Sequence, residues 1–161
     1  MCDDVVKYMN KLPRSLVDAF IRWCVFDLAL PVAIQKLKEF GWEHQAEQLN
    51  SATDYLQLSE IAQEISFDLS DERRLREASS DANDTWIPAW YRASRAMASF
   101  TSLARVPEFY RDFEKSIPQL TAETVITESD EAVCDRLHIK LSELCADAGI
   151  DMNALLEDTD G

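Results

Sequence analysis

The chain has 161 residues, is 47% hydrophobic and carries four tryptophans, so it has the material for a buried core and is not a disordered acidic tail. Its 16 basic and 30 acidic residues leave a net charge of −14, which excludes a phosphate-neutralising surface over the molecule as a whole. Only 3 glycines and 5 prolines are present, too few turn formers for a β-rich domain, so a few long helices are expected.

Val5 to Leu12 reads as a short first helix stopped at Pro13. Ser15 is placed to cap the next helix, with Asp18 three residues on in a capping-box-like position. That helix is apolar nearly all round, through Leu16, Phe20, Ile21, Trp23, Cys24, Val25, Phe26 and Leu28. Asp18, Arg22 and Asp27 interrupt the run often enough to argue against a membrane span. Asp18 and Arg22 are expected to pair one turn apart. Pro31 suits the first turn of a new helix, closed by Gly41 as a left-handed cap with Trp42 folded back. Tyr55, Leu58, Ala62, Ile65 and Leu69 then make an apolar stripe, opposite a polar one of Thr53, Gln57, Glu60 and Glu64. Ser70 to Thr85 is the most polar stretch and reads either as an exposed helix start followed by a loop or as one long loop, a place for a contact loop or lid.

The segment "TWIPAWYRASRAMASF" poses the sharpest choice, because aromatics and arginines together suit base stacking. Spacing argues otherwise. Trp86, Trp90, Ala93, Met97, Phe100 and Ala104 step by 4, 3, 4, 3 and 4, a seam on one helix face. Tyr91, Arg92 and Arg95 fall off that seam. Pro107 is expected to end this helix, with "PEFYRDFEKSI" making a short helix before Pro118. A last long helix is expected from Thr127, with a core stripe of Val133, Leu137, Leu141, Leu144 and Ala148 and a stop at Gly149. The fold expected is all-α: a compact helical bundle of about six to eight helices with no sheet. It is one domain over residues 1–157, with an acidic frayed tail over 158–161.

Charge is unevenly placed. Residues 1–40 carry +1 and residues 86–120 carry +2, whereas 41–85 carry −8 and 121–161 carry −9. Cys2, Cys24, Cys134 and Cys145 show no close-paired spacing and no leader-like segment precedes them, so free thiols in a reducing cytosol are expected. Cys134, His138 and Cys145 share one side of the last helix. However, eleven residues at a rise of about 1.5 Å put the two cysteines roughly 16 Å apart, too far to share one zinc ion. Two histidines give little material for histidine-dependent catalysis, and no phosphate-binding glycine loop or nucleophile elbow is present. No metal, no cofactor and no catalytic residue is expected. "LSELCADAGIDMNALL" has the cadence of a helix-turn-helix, but no basic residue follows Lys140, so a helical hairpin is expected instead.

"RWCVFDLALPVAIQKL" followed by "ASRAMASFTSLARV" resembles the small all-helical immunity proteins of bacterial polymorphic toxin systems, over roughly Ala19 to Val106. The resemblance implies neutralisation of a toxin by direct binding and assigns no site residue. From the residues themselves, the function expected is non-enzymatic: an acidic cytoplasmic protein that binds a protein partner with a basic surface, without direct nucleic-acid or membrane binding. Two alternatives stand beside it. One is a DNA mimic that inhibits a nucleic-acid-binding protein, and the other is a helical subunit or adaptor of a larger complex. The candidate partner-binding residues are Glu60, Glu64, Asp71, Glu72, Tyr91, Arg92 and Arg95.

Overall fold

The computed structural model describes residues 2–79, 84–125 and 129–157. The chain runs through α1 (Asp3–Met9), α2 (Arg14–Arg22), a π-helical segment (Trp23–Ala29), α3 (Leu30–Glu39), α4 (Glu43–Asn50) and α5 (Tyr55–Ala78). It continues through a 3₁₀ turn (Asp84–Trp86), α6 (Ile87–Phe109), a 3₁₀ segment (Arg111–Ser116), α7 (Ile117–Thr124), α8 (Asp130–Asp147) and α9 (Met152–Glu157). No strand is present among the described residues, and the fold is all-α. The acidic residues 158–161 lie outside the described part.

α2, the π segment and α3 form one continuous helical rod, whereas two helices were expected there. The rod starts at Arg14 behind Pro13, without a side-chain cap, so the expected Ser15 cap is not made. Pro31 sits in the first turn of α3, directly after the π-helical residues. A proline has no N–H to return, and widening the preceding turn lets the rod pass it without a break. Val17, Phe20, Ile21, Cys24, Val25 and Leu28 are buried along the rod. Asp18 and Arg22 instead face outward, so this helix is not buried on most sides. They do not pair with each other: Asp18 bonds Arg14 at 2.7 Å, and Arg22 lies 4.5 Å over the Phe26 ring.

Both glycine stops form as expected. Gly41 has φ 90° and Gly149 has φ 72°. Trp42 N–H donates to Leu37 O at 2.9 Å, and Ile150 N–H donates to Cys145 O at 2.8 Å, the six-to-one bond of a Schellman ending. α5 is capped by Asp54, whose carboxylate accepts from Gln57 N–H at 2.8 Å, while the Gln57 side chain accepts from Thr53 N–H. From there α5 runs to Ala78, so residues 70–78 are helix and the stretch is not one long loop; residues 80–83 lie outside the described part. Ion pairs one turn apart hold this polar end: Asp71 with Arg74, Glu72 with Arg76 at 2.7 Å, and Arg73 with Glu77 at 2.8 Å.

α6 sits at the centre, against α3, α5 and α7. The predicted seam is its buried face: Ala93, Met97, Phe100 and Ala104 have no exposed surface, and Trp90 has little. Trp90 Nε1 donates to Leu69 O at 2.7 Å, and the Arg73 guanidinium lies 4.8 Å from the Trp90 ring. These contacts join the start of α6 to the far part of α5, as in an antiparallel hairpin. Pro107 does not end α6 but is its third-last residue. The helix closes beyond it with Tyr110 N–H on Val106 O at 3.0 Å. Arg111–Ser116 is 3₁₀ rather than α, with Phe113 off helical geometry at φ −104°.

The expected start of the last long helix, Thr127, lies outside the described residues. α8 is capped by Ser129, whose hydroxyl accepts from Ala132 N–H at 3.1 Å, and Asp130 and Glu131 fill its first turn. Its buried stripe is Val133, Leu137, Leu141 and Cys145; Ala148 is exposed.

The cysteines also depart from expectation. Cys2 and Cys134 form a disulfide, with Cα atoms 5.2 Å apart across 132 positions of sequence. Spacing along the chain carries no trace of a pair that only α1 packing on α8 brings together. Cys24 and Cys145 are free and buried, and burial raises both thiols above their ordinary range.

Two stability measurements follow. Chain-entropy arguments give such a long loop about 4–5 kcal/mol, so Cys2→Ser and Cys134→Ser should each lower unfolding free energy by about 2–5 kcal/mol. The double variant should lose no more than either single one. Equal urea midpoints for oxidised and reduced wild type would contradict this. Trp90→Phe removes the hydrogen bond to Leu69 while keeping an aromatic ring, and should cost about 1–2 kcal/mol in the same assay.

Candidate functional site

The outer face of α5 sets exposed apolar side chains among acidic ones. One α-helical residue turns about 100°, and on that basis Leu56, Glu60, Glu64, Phe67, Asp71 and Leu75 fall within one arc of about 100°. The core residues Leu58, Ala62, Ile65 and Leu69 occupy the opposite side. Three of the six outward residues are large and apolar, with Leu56 41%, Phe67 63% and Leu75 68% exposed. Their span of nineteen residues along the helix is about 28 Å.

The structure therefore gathers three of the four acidic candidates, Glu60, Glu64 and Asp71, around exposed apolar side chains. Asp71 is paired with Arg74 at the far end of the arc. Glu72 points elsewhere: it is half-buried and holds Arg76, whose guanidinium lies 4.9 Å over Phe40 and 5.1 Å over Trp86. Its role is to fix that arginine against the α3 and α6 sides of the hairpin. Leu56, Phe67 and Leu75 were missed from sequence because they fall off the core stripe. An apolar residue off the buried stripe of a clean amphipathic helix was the available signal.

Tyr91, Arg92 and Arg95 lie on the next helix, all exposed, and do not join the α5 arc. Arg92 and Arg95 form no ion pair among the described residues, so their charges project into solvent. No acidic residue occurs between Trp86 and Pro107, which makes this face of α6 the cationic strip of an acidic molecule. Its far end carries an aromatic group that sequence reasoning also missed. Phe109, Tyr110 and Phe113 are exposed, and Arg105 lies 6.0 Å from the Phe109 ring and 5.6 Å from the Tyr110 ring. A cavity of about 330 Å³ opens beside them, between Arg105, Tyr110, Phe113 and Leu120.

Cys134 and His138 line a second cavity of about 310 Å³ with Cys2, and His138 meets Tyr8 edge-on at 5.7 Å between ring centroids. The disulfide removes Cys134 as a metal ligand. Among the described residues, no group of three histidine, cysteine, aspartate or glutamate side chains stands where one metal ion could be held. No helix among them is long and apolar enough to cross a membrane.

Because Arg92 and Arg95 are exposed and unpaired, Arg92→Ala/Arg95→Ala should leave unfolding free energy within about 0.5 kcal/mol of wild type. A larger loss in thermal or urea unfolding would place these arginines in the structural framework. Comparison with protein-family models, with curated proteins and with solved structures finds no match to this chain.

Proposed function

We propose that this chain is a non-enzymatic protein-binding protein. On this reading it neutralises or regulates a partner with a basic surface by direct binding, as immunity, antitoxin and anti-defence inhibitors do. The observation that carries the reading is the outer arc of α5, where Leu56, Phe67 and Leu75 stand exposed among Glu60, Glu64 and Asp71. Burying a large apolar side chain fully contributes about 1.5–3 kcal/mol, which makes the three side chains along this helix the candidate anchors of a contact. The carboxylates add steering and selection: they speed encounter with a basic surface and repel an acidic one.

The same arc weighs against phosphate mimicry, which gains nothing from exposed phenylalanine and leucine. It also suits a helical subunit or adaptor, and the second aromatic group at Phe109, Tyr110 and Phe113 gives that alternative a specific point of support. Such a subunit uses both faces at once.

The test is affinity capture from native lysate at low and high salt, comparing wild type with Phe67→Glu/Leu75→Glu. Wild type should retain one stoichiometric basic protein at low salt and release part of it at high salt. The variant should keep its thermal unfolding midpoint and lose the partner. Glu60→Lys/Glu64→Lys should slow association at least several-fold at low salt while changing dissociation little. No stoichiometric partner, or a partner held equally by the Phe67/Leu75 variant, overturns the assignment to α5.

A further inference from the structure

A third cavity, of about 260 Å³, opens where α2, the start of α5 and the end of α6 meet. Arg14, Asp18 and Arg22 reach it from one face of α2, Tyr55 from the first residue of α5, and Arg111 from just beyond α6. Three guanidiniums face one carboxylate there, in a chain whose net charge is −14. The carboxylate is already answered, because Asp18 bonds Arg14 at 2.7 Å. Arg14 is further held by Glu114. Arg22 and Arg111 form no ion pair among the described residues.

Both of these arginines are nevertheless fixed in place. The Arg22 guanidinium stacks on Phe26 at 4.5 Å, and Phe26 in turn meets the Tyr55 ring at 5.5 Å between centroids. Arg111 spends its Nε–H on Pro107 O at 3.3 Å, which leaves its two terminal nitrogens free to donate. Tyr55 is half-buried, and burial pushes its hydroxyl up to about 12, with Arg22 and Arg111 lowering it and the charges of Asp18 and Cys24 adding to the rise. The phenol therefore keeps its proton and remains a donor. An arginine held by stacking or by a backbone carbonyl has little entropy left to lose on binding, and a guanidinium matches the oxygens of an oxyanion with paired donors.

We propose that Arg22, Arg111 and the Tyr55 hydroxyl form a binding site for a phosphate group, either the free ion or the monoester of a small metabolite. Two guanidinium edges and a phenol offer more donors than the two oxygens of a carboxylate can take, and a tetrahedral phosphate uses them. Arg14 lies between Asp18 and Glu114, so one guanidinium answers two carboxylates, and Arg22 and Arg111 supply the positive charge that faces the ligand. The site is separate from the outer arc of α5 and does not depend on a protein partner being found.

The experiment is calorimetric titration of the full chain with inorganic phosphate and with glycerol phosphate, at constant ionic strength set by chloride. The expected result is saturable binding at one site per chain. Arg22→Gln and Arg111→Gln should each weaken it about tenfold or more, and Tyr55→Phe a few-fold. Arg92→Gln, on the open face of α6, should change nothing. Tighter binding of the ester assigns the site to a phosphorylated small molecule, and equal binding assigns it to the free ion. Each outcome supports the phosphate site. Absence of saturable heat with both ligands overturns it, as does unchanged affinity in Arg22→Gln/Arg111→Gln. Should a variant fail to fold by circular dichroism, wild type decides through arginine modification with phenylglyoxal, mapped by mass spectrometry. Phosphate should protect Arg22 and Arg111, and equal modification with and without it overturns the proposal.

Discussion

The structure is organised by the packing of α6, a helix that can be surrounded because its side chains are small where its neighbours come closest. Ala93, Ala96 and Ala104 are fully buried on it, alongside Met97, Phe100 and Leu103. Small residues let α3, α5 and α7 approach the axis, and the larger ones fill the gaps that a bundle of unequal helices leaves. Serine and threonine serve the same purpose in polar form. Thr101 and Ser102 return their hydroxyls to the carbonyls of Met97 and Ala98, so these two donors are satisfied within the helix. The neighbouring elements follow from this. α5 is placed by Trp90 and Arg73, α7 packs on the far side with Thr121 bonded to Ile117 O, and the α2–α3 rod closes the core.

Once α6 is enclosed, the unusual chemistry of the chain is pushed outward onto its neighbours and its ends. α5 is apolar on two sides, one spent on the core and one left in solvent. The end of α6 delivers Arg111 toward α2, and α2 turns its charged face outward. The acidic total of the chain hides this, since its 16 basic residues are outnumbered by 30 acidic ones. A protein this acidic presents an arginine-lined cavity only if the fold concentrates its bases, and the end of α6 beyond Pro107 does so.

Residues 86–104 were legible because an apolar seam repeated over several turns of one helix face arises from burial and from little else. The glycine stops were legible because Gly41 and Gly149 each follow the last apolar residue of a clear helix. Other features had no local signature. The polar end of α5 reads as loop by composition, yet Arg73, Arg74 and Arg76 alternate with Asp71, Glu72 and Glu77 at intervals that support a helix. Pro107 reads as a stop, but a proline in the last turn forfeits only one hydrogen bond. The π-helical passage accommodates Pro31, and a turn of that width has no pattern of its own in the sequence. Asp18 and Arg22 have the right spacing to pair, and Arg14 and Phe26 win them because each offers a better neighbour. In the candidate surface, the acids were visible and the apolar anchors were not, because Phe67 and Leu75 look like core material until the opposite stripe is seen to suffice.

The bond between Cys2 and Cys134 changes what it means to cut this chain. It joins a residue beside the first helix to one in the first half of α8, so everything between them lies within a single covalent ring. A protease that cleaves one peptide bond inside that ring opens it without releasing a fragment. The two pieces stay tethered, and the helices keep the high effective concentration at which they fold together. Cleavage and separation thus become distinct events. A nicked molecule travels and packs as an intact one until a thiol reductant parts the sulfurs.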